Sequence, residues 1–477
     1  MTRTIVIGGS VSGLATALFL SRRGHQVTVL EQDGHALSPH PDDDFLPWRR
    51  PRVPHAVQPH GLLAPVRNVL LAEAPDVYAA MLKLGARERH EFDWFDHHPP
   101  HQPGDEQLVT VQTRRLLLEI ALRRALERDH PAALMTGQPV TGLTITPAHG
   151  TPRVTGVRTR RTHRTADLVI DCSGRRTRVP HWLADAGCRS PAAESHPTGV
   201  SYYCRWYRGR PGHAPTARVK AGSTASFGIG QVFPSDSATF ALSFVLSSTD
   251  PTRTALLDPS VFEAAARAFP SMNAWLTGHP EPLSPVLAMG GLTNSWTPLA
   301  DGSGPVATGI INAGDALVHT NPTLGQGAAL ALRTAQQTAR LTGRHPDDPS
   351  ALAARHHQWT LRELRPWYEH QVTSDRAYAE RLRAGAAGDT VLPPPEAAAI
   401  EASAWDDPVV MRARARVRHL MIYPDQVLQQ PGVRDRIGQW ISAHPRFTGG
   451  FDGPDRAQWE SITSPSRRIP SPAEDDT

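Results

Sequence analysis

The chain has 477 residues with 50 basic and 46 acidic side chains, a balance that argues against nucleic acid as a partner. Its length exceeds the limit of about 300 residues for one hydrophobic core, so two or three packed units are expected. The three cysteines follow no disulfide or metal-binding pattern, and no apolar run reaches the roughly 18 residues of a membrane span. A cytoplasmic protein without a metal site is therefore expected.

The amino-terminal residues have the pattern of a βαβ unit. Thr4–Gly8 is a short apolar run typical of a buried parallel strand, and Gly8–Gly13 follows it as a glycine-rich turn. Leu14–Arg23 has helical spacing, and Gln26–Glu31 predicts a second strand. Glycines at such a turn allow close packing, and their backbone N–H groups can face a pyrophosphate. The pattern favours dinucleotide binding over an ordinary glycine turn.

Two residues refine this prediction. Glu31, at the end of the second strand, would accept hydrogen bonds from the adenosine ribose hydroxyls and would repel a 2′-phosphate, which argues against NADP in this pocket. Ser10 stands at the middle glycine position of the motif, where it is small enough to fit and has a hydroxyl that can bind a phosphate.

Later segments favour FAD over NAD. The alternating segments Pro139–Thr146 and Arg153–Thr159, followed by the strand Asp167–Asp171, suggest a three-stranded meander, which is common in large FAD-binding domains. Gly309–Gly314 predicts a strand leading to Asp315, a candidate acceptor for ribityl hydroxyls. The turn Gly325–Gly327 would direct backbone N–H groups toward a flavin pyrimidine, and a helix follows at 328–341. Without a flavin, Asp315 would be a helix cap and 321–327 a plain loop.

Together these segments resemble the three fingerprints of the flavoprotein monooxygenases related to para-hydroxybenzoate hydroxylase. The matching residues are Gly8–Gly13 with Glu31, Asp171–Arg178, and Gly314-Asp315 with Asn321–Gly327. A branch of bacterial polyketide epoxidases and other tailoring oxygenases is similar in further segments, namely Val53-Pro54, His60–Leu63, Met289–Gly291 and Thr320–Pro322. The resemblance covers roughly residues 1–345.

The resemblance implies an α/β fold with a glutathione-reductase-like, FAD-binding Rossmann domain that contains a β-meander. This discontinuous domain would comprise residues 1–75, 105–190 and 285–345. An antiparallel-sheet substrate domain would comprise 76–104 and 191–284, followed by a helical C-terminal region at 346–449. The polar, proline-rich segment 450–477 predicts a disordered tail.

The resemblance also implies the residues that contact FAD. One of the adjacent arginines Arg114 and Arg115, at the start of the predicted helix Arg115–Arg128, would reach the pyrophosphate, and we favour Arg115 because Leu116–Glu119 then match the positions of the family. The expected contacts are Gly8, Ser10, Gly13, Glu31, Arg115, Asp315, Pro322, Gly325, Gln326 and Gly327.

Three alternating segments, Gly199–Tyr207, Ala225–Phe233 and Thr239–Ser247, predict the antiparallel sheet, and Pro259–Leu276 predicts a helix after them. The sequence leaves open which face of the sheet lines the substrate cavity and which side chains are simply core. The candidate substrate contacts are Tyr202, Cys204, Trp206, Phe227, Gln231 and Phe244. His319 and His60 are candidate catalytic residues, with ordinary loop histidines as the alternative.

In the C-terminal region, Asp407-Pro408 predicts a helix start. The arginines at 412, 414, 416 and 418 are expected to form a solvated face of that helix.

The implied reaction is monooxygenation, in which a flavin C4a-hydroperoxide passes one oxygen atom from O2 to an alkene or an aromatic ring of a small molecule. The setting would be antibiotic or other secondary-metabolite biosynthesis. NADPH or NADH would supply electrons, directly or through a separate flavin reductase. A flavin-dependent dehydrogenase or reductase, a halogenase and a non-catalytic flavin-binding protein remain alternatives. A halogenase needs a lysine between flavin and substrate, and Lys83 lies at a predicted helix end.

Overall fold

The computed structural model describes residues 1–48, 50, 53–147, 150–210, 219–447 and 450–464. At its centre is a five-stranded parallel sheet. In spatial order its strands are Ile310–Asn312, Leu168–Asp171, Arg3–Ile7, Gln26–Leu30 and Leu134–Met135. The helices Val11–Ser21 and Gly327–Arg344 pack against each other in the core beside this sheet. The mixed α/β fold class predicted from the sequence is confirmed.

A separate three-stranded antiparallel sheet consists of Val140–Thr146, Arg153–Thr159 and His163–Thr165. The meander therefore exists, but its third strand is not the one suggested by the sequence. Leu168–Asp171 instead pairs with Arg3–Ile7 in the parallel sheet, and all four of its residues are buried, as is usual for such strands. The polar strand His163–Thr165 lacks the apolar alternation that would have marked it.

A larger antiparallel sheet, here called the cover sheet, follows in the chain. In spatial order its strands are Gly222–Thr224, Gly228–Pro234, Thr239–Ser247, Val200–Arg208 and Glu281–Pro282, and Leu287–Met289 also pairs with Val200–Arg208. The single helix predicted at Pro259–Leu276 is two helices, Pro259–Arg267 and Pro270–Leu276. The break falls at Phe269, whose backbone is extended because a residue before proline avoids the α conformation.

The remaining elements connect and cover these sheets. The other helices of the first half are Pro41–Phe45, Ala64–Glu73, Pro75–Lys83, Arg115–Asp129 and Val179–Asp185. The C-terminal helices are Pro349–Glu363, Arg365–Ala386, Pro395–Ser403, Pro408–Arg418, Val433–Ala443 and Arg456–Thr463. Short strands pair as Arg87–His90 with Val109–Gln112 and as Ala300–Asp301 with Gly304–Pro305, and Thr293–Trp296 pairs with Glu194–Pro197 on one side and with Val318–His319 on the other. Within the described ranges, no helix combines the length and apolarity needed to cross a bilayer.

The arginines of helix Pro408–Arg418 do not form a purely solvated face. Arg412 is buried, its Nε lies 2.7 Å from Oδ1 of Asp105, and its guanidinium lies 4.9 Å from the ring centre of Phe92. Asp105 is itself buried. Because this partner lies 307 residues away in the chain, helical spacing alone gives no sign of the ion pair.

The tail expected to be disordered is partly helical. Asp455 caps the helix Arg456–Thr463, accepting a hydrogen bond from the backbone N–H of Gln458 at 2.8 Å. Trp459 is fully buried against an aromatic cluster under the cover sheet, consisting of Phe227, Phe244 and Phe269. This buried side chain and a salt bridge of 2.7 Å from Arg456 to the buried Asp250 anchor the segment. Residues 465–477 of the predicted tail lie outside the described residues.

Replacing Trp459 with alanine is expected to lower the free energy of unfolding by about 3 kcal/mol, because a fully buried indole is lost and a cavity remains. Urea unfolding of the full-length chain measures this. Ser461→Ala, at an exposed position of the same helix, should change stability by less than about 0.5 kcal/mol. Equal midpoints for the two variants would contradict the packing described here.

Candidate functional site

A cavity of about 1660 Å³ lies between the carboxyl ends of the parallel strands and the cover sheet. Its walls come from all three fingerprint segments, from one face of the cover sheet and from the C-terminal helices. Ligand pockets for small molecules usually measure about 300–1,000 Å³, so this space can hold more than one such ligand.

The glycine turn forms one end of the cavity. Gly8 has φ +101°, and a Cβ there would lie 2.5 Å from the carbonyl oxygen of Cys172. A Cβ on Gly13 would lie 1.9 Å from the carbonyl oxygen of Gly8. Gly8 lines the cavity, whereas Gly13 lies behind the turn and lets the helix approach it. Both positions therefore exclude any side chain.

The structure separates the two adjacent arginines. Nη2 of Arg115 donates to Oγ of Ser10 at 2.6 Å and lines the cavity. Burial, together with the charge of nearby Arg50, lowers the pKa of Arg115 to about 10, so it remains cationic at neutral pH. Arg114 instead forms a buried ion pair with Asp236. Of the two adjacent arginines, Arg115 is thus the one placed to neutralise an anion at the glycine turn.

Glu31 lies at the end of its strand and lines the same cavity. Its carboxylate accepts backbone N–H groups from Gly9 at 2.6 Å and from Asp33 at 2.9 Å. Sequence reasoning missed Arg50, a buried residue that lies 3.7 Å from Glu31, 3.3 Å from Asp33 and in contact with Glu119. Arg50 lies in a proline- and histidine-rich stretch without periodicity, so no sequence signal marked it.

The third fingerprint brings Asp315 and His319 together. Nδ1 of His319 lies 3.0 Å from Oδ2 of Asp315. Burial alone would raise the pKa of Asp315, but the charge and hydrogen bond of His319 outweigh it and hold that pKa well below its usual range. Because an ionised carboxylate only accepts hydrogen bonds, Nδ1 of His319 carries the proton.

Two more histidines line the cavity wall beside this pair. His60 lies with its Nδ1 2.8 Å from the carbonyl oxygen of Gln58, and burial, followed by the charge of Arg115, lowers the pKa of His60 to about 4. Burial and Arg115 likewise lower the pKa of His55. Both side chains are therefore neutral at pH 7. They form part of a wall of the site.

Pro322, Gly325, Gln326 and Gly327 all line the cavity as well. Gly325 ends a short 3-10 turn with φ +68°, and the helix Gly327–Arg344 begins two residues later. The first N–H groups of this helix have no partner within it, so they are available to a ligand.

Several buried polar atoms on cavity-lining residues have no hydrogen-bond partner in the described part of the chain, and those at the glycine turn and the third fingerprint are the most informative. They are Nη1 of Arg115, Nε2 of His319, Oγ1 of Thr320 and Oε1 of Gln326. Buried polar groups are normally paired with protein atoms or ordered water, so these atoms are available to a polar ligand. Arg115 provides a cation at the glycine turn, and Glu31 and Asp315 provide two separate carboxylates that can accept hydrogen bonds from sugar hydroxyls. The helix Gly327–Arg344 begins at the far end. Together these groups suit an extended dinucleotide. The residues present therefore fit FAD.

The cover sheet turns one face to the cavity. Tyr202, Ile229, Gln231, Phe233 and Ser243 share this face and line the cavity. The sequence had left the choice of face open.

The other predicted substrate contacts are placed differently. Cys204 and Trp206 share the cavity face but are covered, because Sγ of Cys204 bonds Oε1 of Gln58 and Nε1 of Trp206 bonds the carbonyl oxygen of Val57. Phe227 and Phe244 do not line the cavity, which corrects the expectation for them. Both pack in the aromatic core with Trp459.

The two lysines of the chain also differ in position. Lys83 ends the helix Pro75–Lys83 and does not line the cavity. Lys220 is exposed but does line it, and its Nζ lies 5.7 Å from the ring centre of Trp405.

A buried histidine behind the site predicts acid sensitivity. Nε2 of His356 lies 2.9 Å from the carbonyl oxygen of Asn312, at the end of the strand that leads to Asp315, and burial lowers the pKa of His356 to about 4. In the unfolded chain its pKa is about 6.5, so protonation favours unfolding. Stability present above pH 6.5 is lost as the pH falls toward 4.

Protonation of His356 should therefore lower the free energy of unfolding by about 2 kcal/mol when the pH falls from 7 to 4.5. Urea unfolding at both pH values tests this. The pH dependence should be smaller by that amount in His356→Gln, whereas His181→Gln, at an exposed position, should leave it unchanged. The assignment fails if all three proteins lose the same stability.

Comparison with known proteins supports the assignment of the glycine turn. Residues 3–38 match the family model described as FAD dependent oxidoreductase. Protein Rv3254 of Mycobacterium tuberculosis is 27% identical over 405 residues, covering 78% of this chain and 80% of that protein.

Solved structures share the fold. The FAD-dependent monooxygenase PqsL of Pseudomonas aeruginosa aligns with a TM-score of 0.58 at 16% identity, over 80% of this chain and 98% of PqsL. The flavin-dependent halogenase CmlS aligns with a TM-score of 0.58 at 15% identity, over 93% of this chain and 78% of CmlS. The chain thus shares the fold of PqsL and CmlS, and its residues 3–38 match the FAD dependent oxidoreductase model.

Proposed function

We propose that this protein is an FAD-dependent monooxygenase that transfers one oxygen atom from O2 to an organic small molecule. One observation carries the proposal. A single large cavity joins a dinucleotide-type glycine turn to the face of the cover sheet, and it contains buried polar atoms that have no partner among the described residues. Such a cavity has room for a cofactor and, next to it, a substrate.

Each part of the cofactor has a matching group. Ser10 and Arg115 would hold the pyrophosphate, and Glu31 the adenosine ribose. Asp315 would accept hydrogen bonds from the ribityl chain. The N–H groups that follow Gly325 would face the flavin pyrimidine. Bound and reduced, FAD would supply the activation of dioxygen, as cofactors do for chemistry that side chains cannot perform.

The protein would position the substrate and exclude water. Tyr202, Gln231 and Ser243 offer polar contacts on a sheet face that is otherwise apolar, and the C-terminal helices close the other side. The unpaired Nε2 of His319 would exchange a hydrogen bond or a proton with the cofactor or the substrate, because Asp315 holds the ring through Nδ1. We propose His319 as the catalytic candidate, with His60 as part of the surrounding wall.

We further propose an electron-rich alkene or aromatic ring as the substrate, within secondary-metabolite biosynthesis in the cytoplasm. NADPH or NADH would be the electron source. The sequence carries one dinucleotide-type glycine motif, so the nicotinamide would react transiently or through a separate flavin reductase.

The first experiment is to purify the full-length chain, add FAD and measure flavin binding by fluorescence quenching. Turnover with candidate alkenes and phenols under ¹⁸O2 should then yield a product carrying one labelled oxygen atom. Reduction should be compared with NADPH or NADH alone and with an added flavin reductase. Oxidised product without label would favour a dehydrogenase or reductase. Bound FAD with no substrate-dependent turnover would favour a non-catalytic flavin protein.

A halogenase is the second candidate, since Lys220 lines the cavity. The same turnover mixture with chloride or bromide tests it. Halogenated product that disappears in Lys220→Met would replace the monooxygenase proposal. Labelled oxygen in the product, in equal amount with Lys220→Met, would support the monooxygenase proposal.

A further inference from the structure

A buried carboxylate of the C-terminal helices lies directly behind the third fingerprint. Asp375 belongs to the helix Arg365–Ala386 and is 3% exposed. Its Oδ1 accepts hydrogen bonds from Thr323 at 2.7 Å, from Asn321 at 2.9 Å and from Gln371 at 3.0 Å. Its Oδ2 accepts from Nδ2 of Asn294 at 2.7 Å. All of these partners are neutral donors.

The ionised carboxylate determines the orientation of both asparagines. Because it can only accept, Asn294 and Asn321 must each turn their NH2 group toward Asp375. The side-chain oxygen of Asn294 then accepts the backbone N–H of Asn321 at 2.6 Å. The side-chain oxygen of Asn321 accepts the hydroxyl of Tyr202 at 2.8 Å. The hydroxyl of Tyr202 is therefore committed as a donor to Asn321.

This network links three separate parts of the molecule. Asn321 and Thr323 belong to the loop that precedes the helix start at Gly327, and Thr323 lines the cavity. Tyr202 belongs to the cavity face of the cover sheet. Asn294 belongs to the strand Thr293–Trp296. Asn294, Asn321 and Gln371 are all at most 1% exposed, so water cannot replace a lost partner without rearrangement.

We propose that Asp375 is a positioning residue for the cofactor, setting the conformation of the loop Asn321–Gly327 and the orientation of Tyr202. The inference rests on the proposed binding of FAD in this cavity. Asp375 acts through Asn321 and Thr323 and does not itself line the cavity.

The decisive variants remove the charge of Asp375 or move it to position 294, without changing the number of heavy atoms. In Asp375→Asn, an N–H donor replaces Oδ2 and faces the NH2 group of Asn294. Turning over the amide of Asn294 would only pass the conflict to the N–H of Asn321. We expect FAD binding to weaken about tenfold, the range for loss of a hydrogen bond to a charged group.

The double variant Asp375→Asn with Asn294→Asp should restore binding to within about twofold of the original protein. A carboxylate at position 294 accepts both the amide introduced at 375 and the N–H of Asn321, so every donor again has an acceptor. Glu369→Gln, on the exposed side of the same helix, is the matched control and should bind FAD normally.

The reduction potential of the bound flavin distinguishes positioning from simple support of the fold. At saturating FAD, the potential of Asp375→Asn should shift to a more positive value, because a buried negative charge near a flavin opposes the charge gained on reduction. The double variant should return it toward the original value. A change in thermal stability alone, with FAD affinity and potential unchanged, would overturn the inference.

If Asp375→Asn does not fold, Thr323→Val tests the same network with the charge retained. It should weaken FAD binding about threefold, and normal affinity would count against the inference. Failure of the unaltered protein to bind FAD would instead remove the proposed function. The two failures are thus separate.

Discussion

Replacing Arg115 with methionine is expected to weaken FAD binding about a hundredfold. Arg115 is the cation held at the glycine turn, its Nη2 bonds Ser10 and its Nη1 has no partner in the described chain. Loss of a buried charge-assisted contact to a phosphate costs about 3 kcal/mol. Methionine keeps much of the apolar volume, so the effect should fall on binding more than on folding. Titration of the purified protein with FAD, followed by fluorescence quenching, measures it.

Two further variants make this test specific. Arg128→Met, at an exposed position near the end of the same helix, should bind FAD as the original protein does. Arg115→Lys keeps a charge but loses the planar fork, so an intermediate affinity is expected. If Arg115→Met binds FAD normally, the pyrophosphate does not lie at this turn, and the proposed orientation of the cofactor is wrong.

Replacing Gly13 with alanine should have the largest effect on the folded state. The added Cβ would lie 1.9 Å from the carbonyl oxygen of Gly8, and this backbone atom cannot move without opening the turn between strand and helix. We expect a loss of about 4 kcal/mol in the free energy of unfolding, together with the loss of FAD binding. Urea unfolding and flavin titration report the two effects.

Gly34→Ala provides the comparison for this variant. No heavy atom lies within 4 Å of a Cβ built on Gly34, and its φ is not positive. That variant should fold and bind FAD normally. A stable Gly13→Ala protein would mean that the helix Val11–Ser21 packs less closely on the turn than the structure indicates.

Local sequence patterns located the glycine turn and four of the five strands of the parallel sheet, because each signal depends on neighbouring residues. The strand Leu134–Met135 was not predicted, and Leu168–Asp171 was assigned to the meander. Strand Arg3–Ile7 and helix Val11–Ser21 follow the predicted order, and the fold class is confirmed. The choice of Arg115 over Arg114 depended on the helix register, and the structure places Arg115 in the cavity. Which residues contact the cofactor stays a prediction.

The choice of sheet face had no such local signal. Every residue of Thr239–Ser247 is buried, because helices cover one face of the strand and the cavity side of the sheet is enclosed as well. Because both faces are buried, the alternating pattern did not show whether the face of Ser243 or that of Phe244 lines the cavity. Arg50 and Asp375 were missed for a related reason. Their partners are distant in sequence, and a single polar residue in a loop or helix carries no periodic signal.

The burial of Trp459 has a consequence for biosynthesis. The aromatic core of the cover sheet contains residues from strands that are synthesised midway through translation. Trp459, which completes this core, is synthesised more than two hundred residues later. Until Trp459 has left the ribosome, Phe227 and Phe244 lack one of the aromatic side chains that cover them in the folded protein. We therefore expect the middle of this protein to mature only after its C-terminal helix has been synthesised, and to depend on chaperones until then.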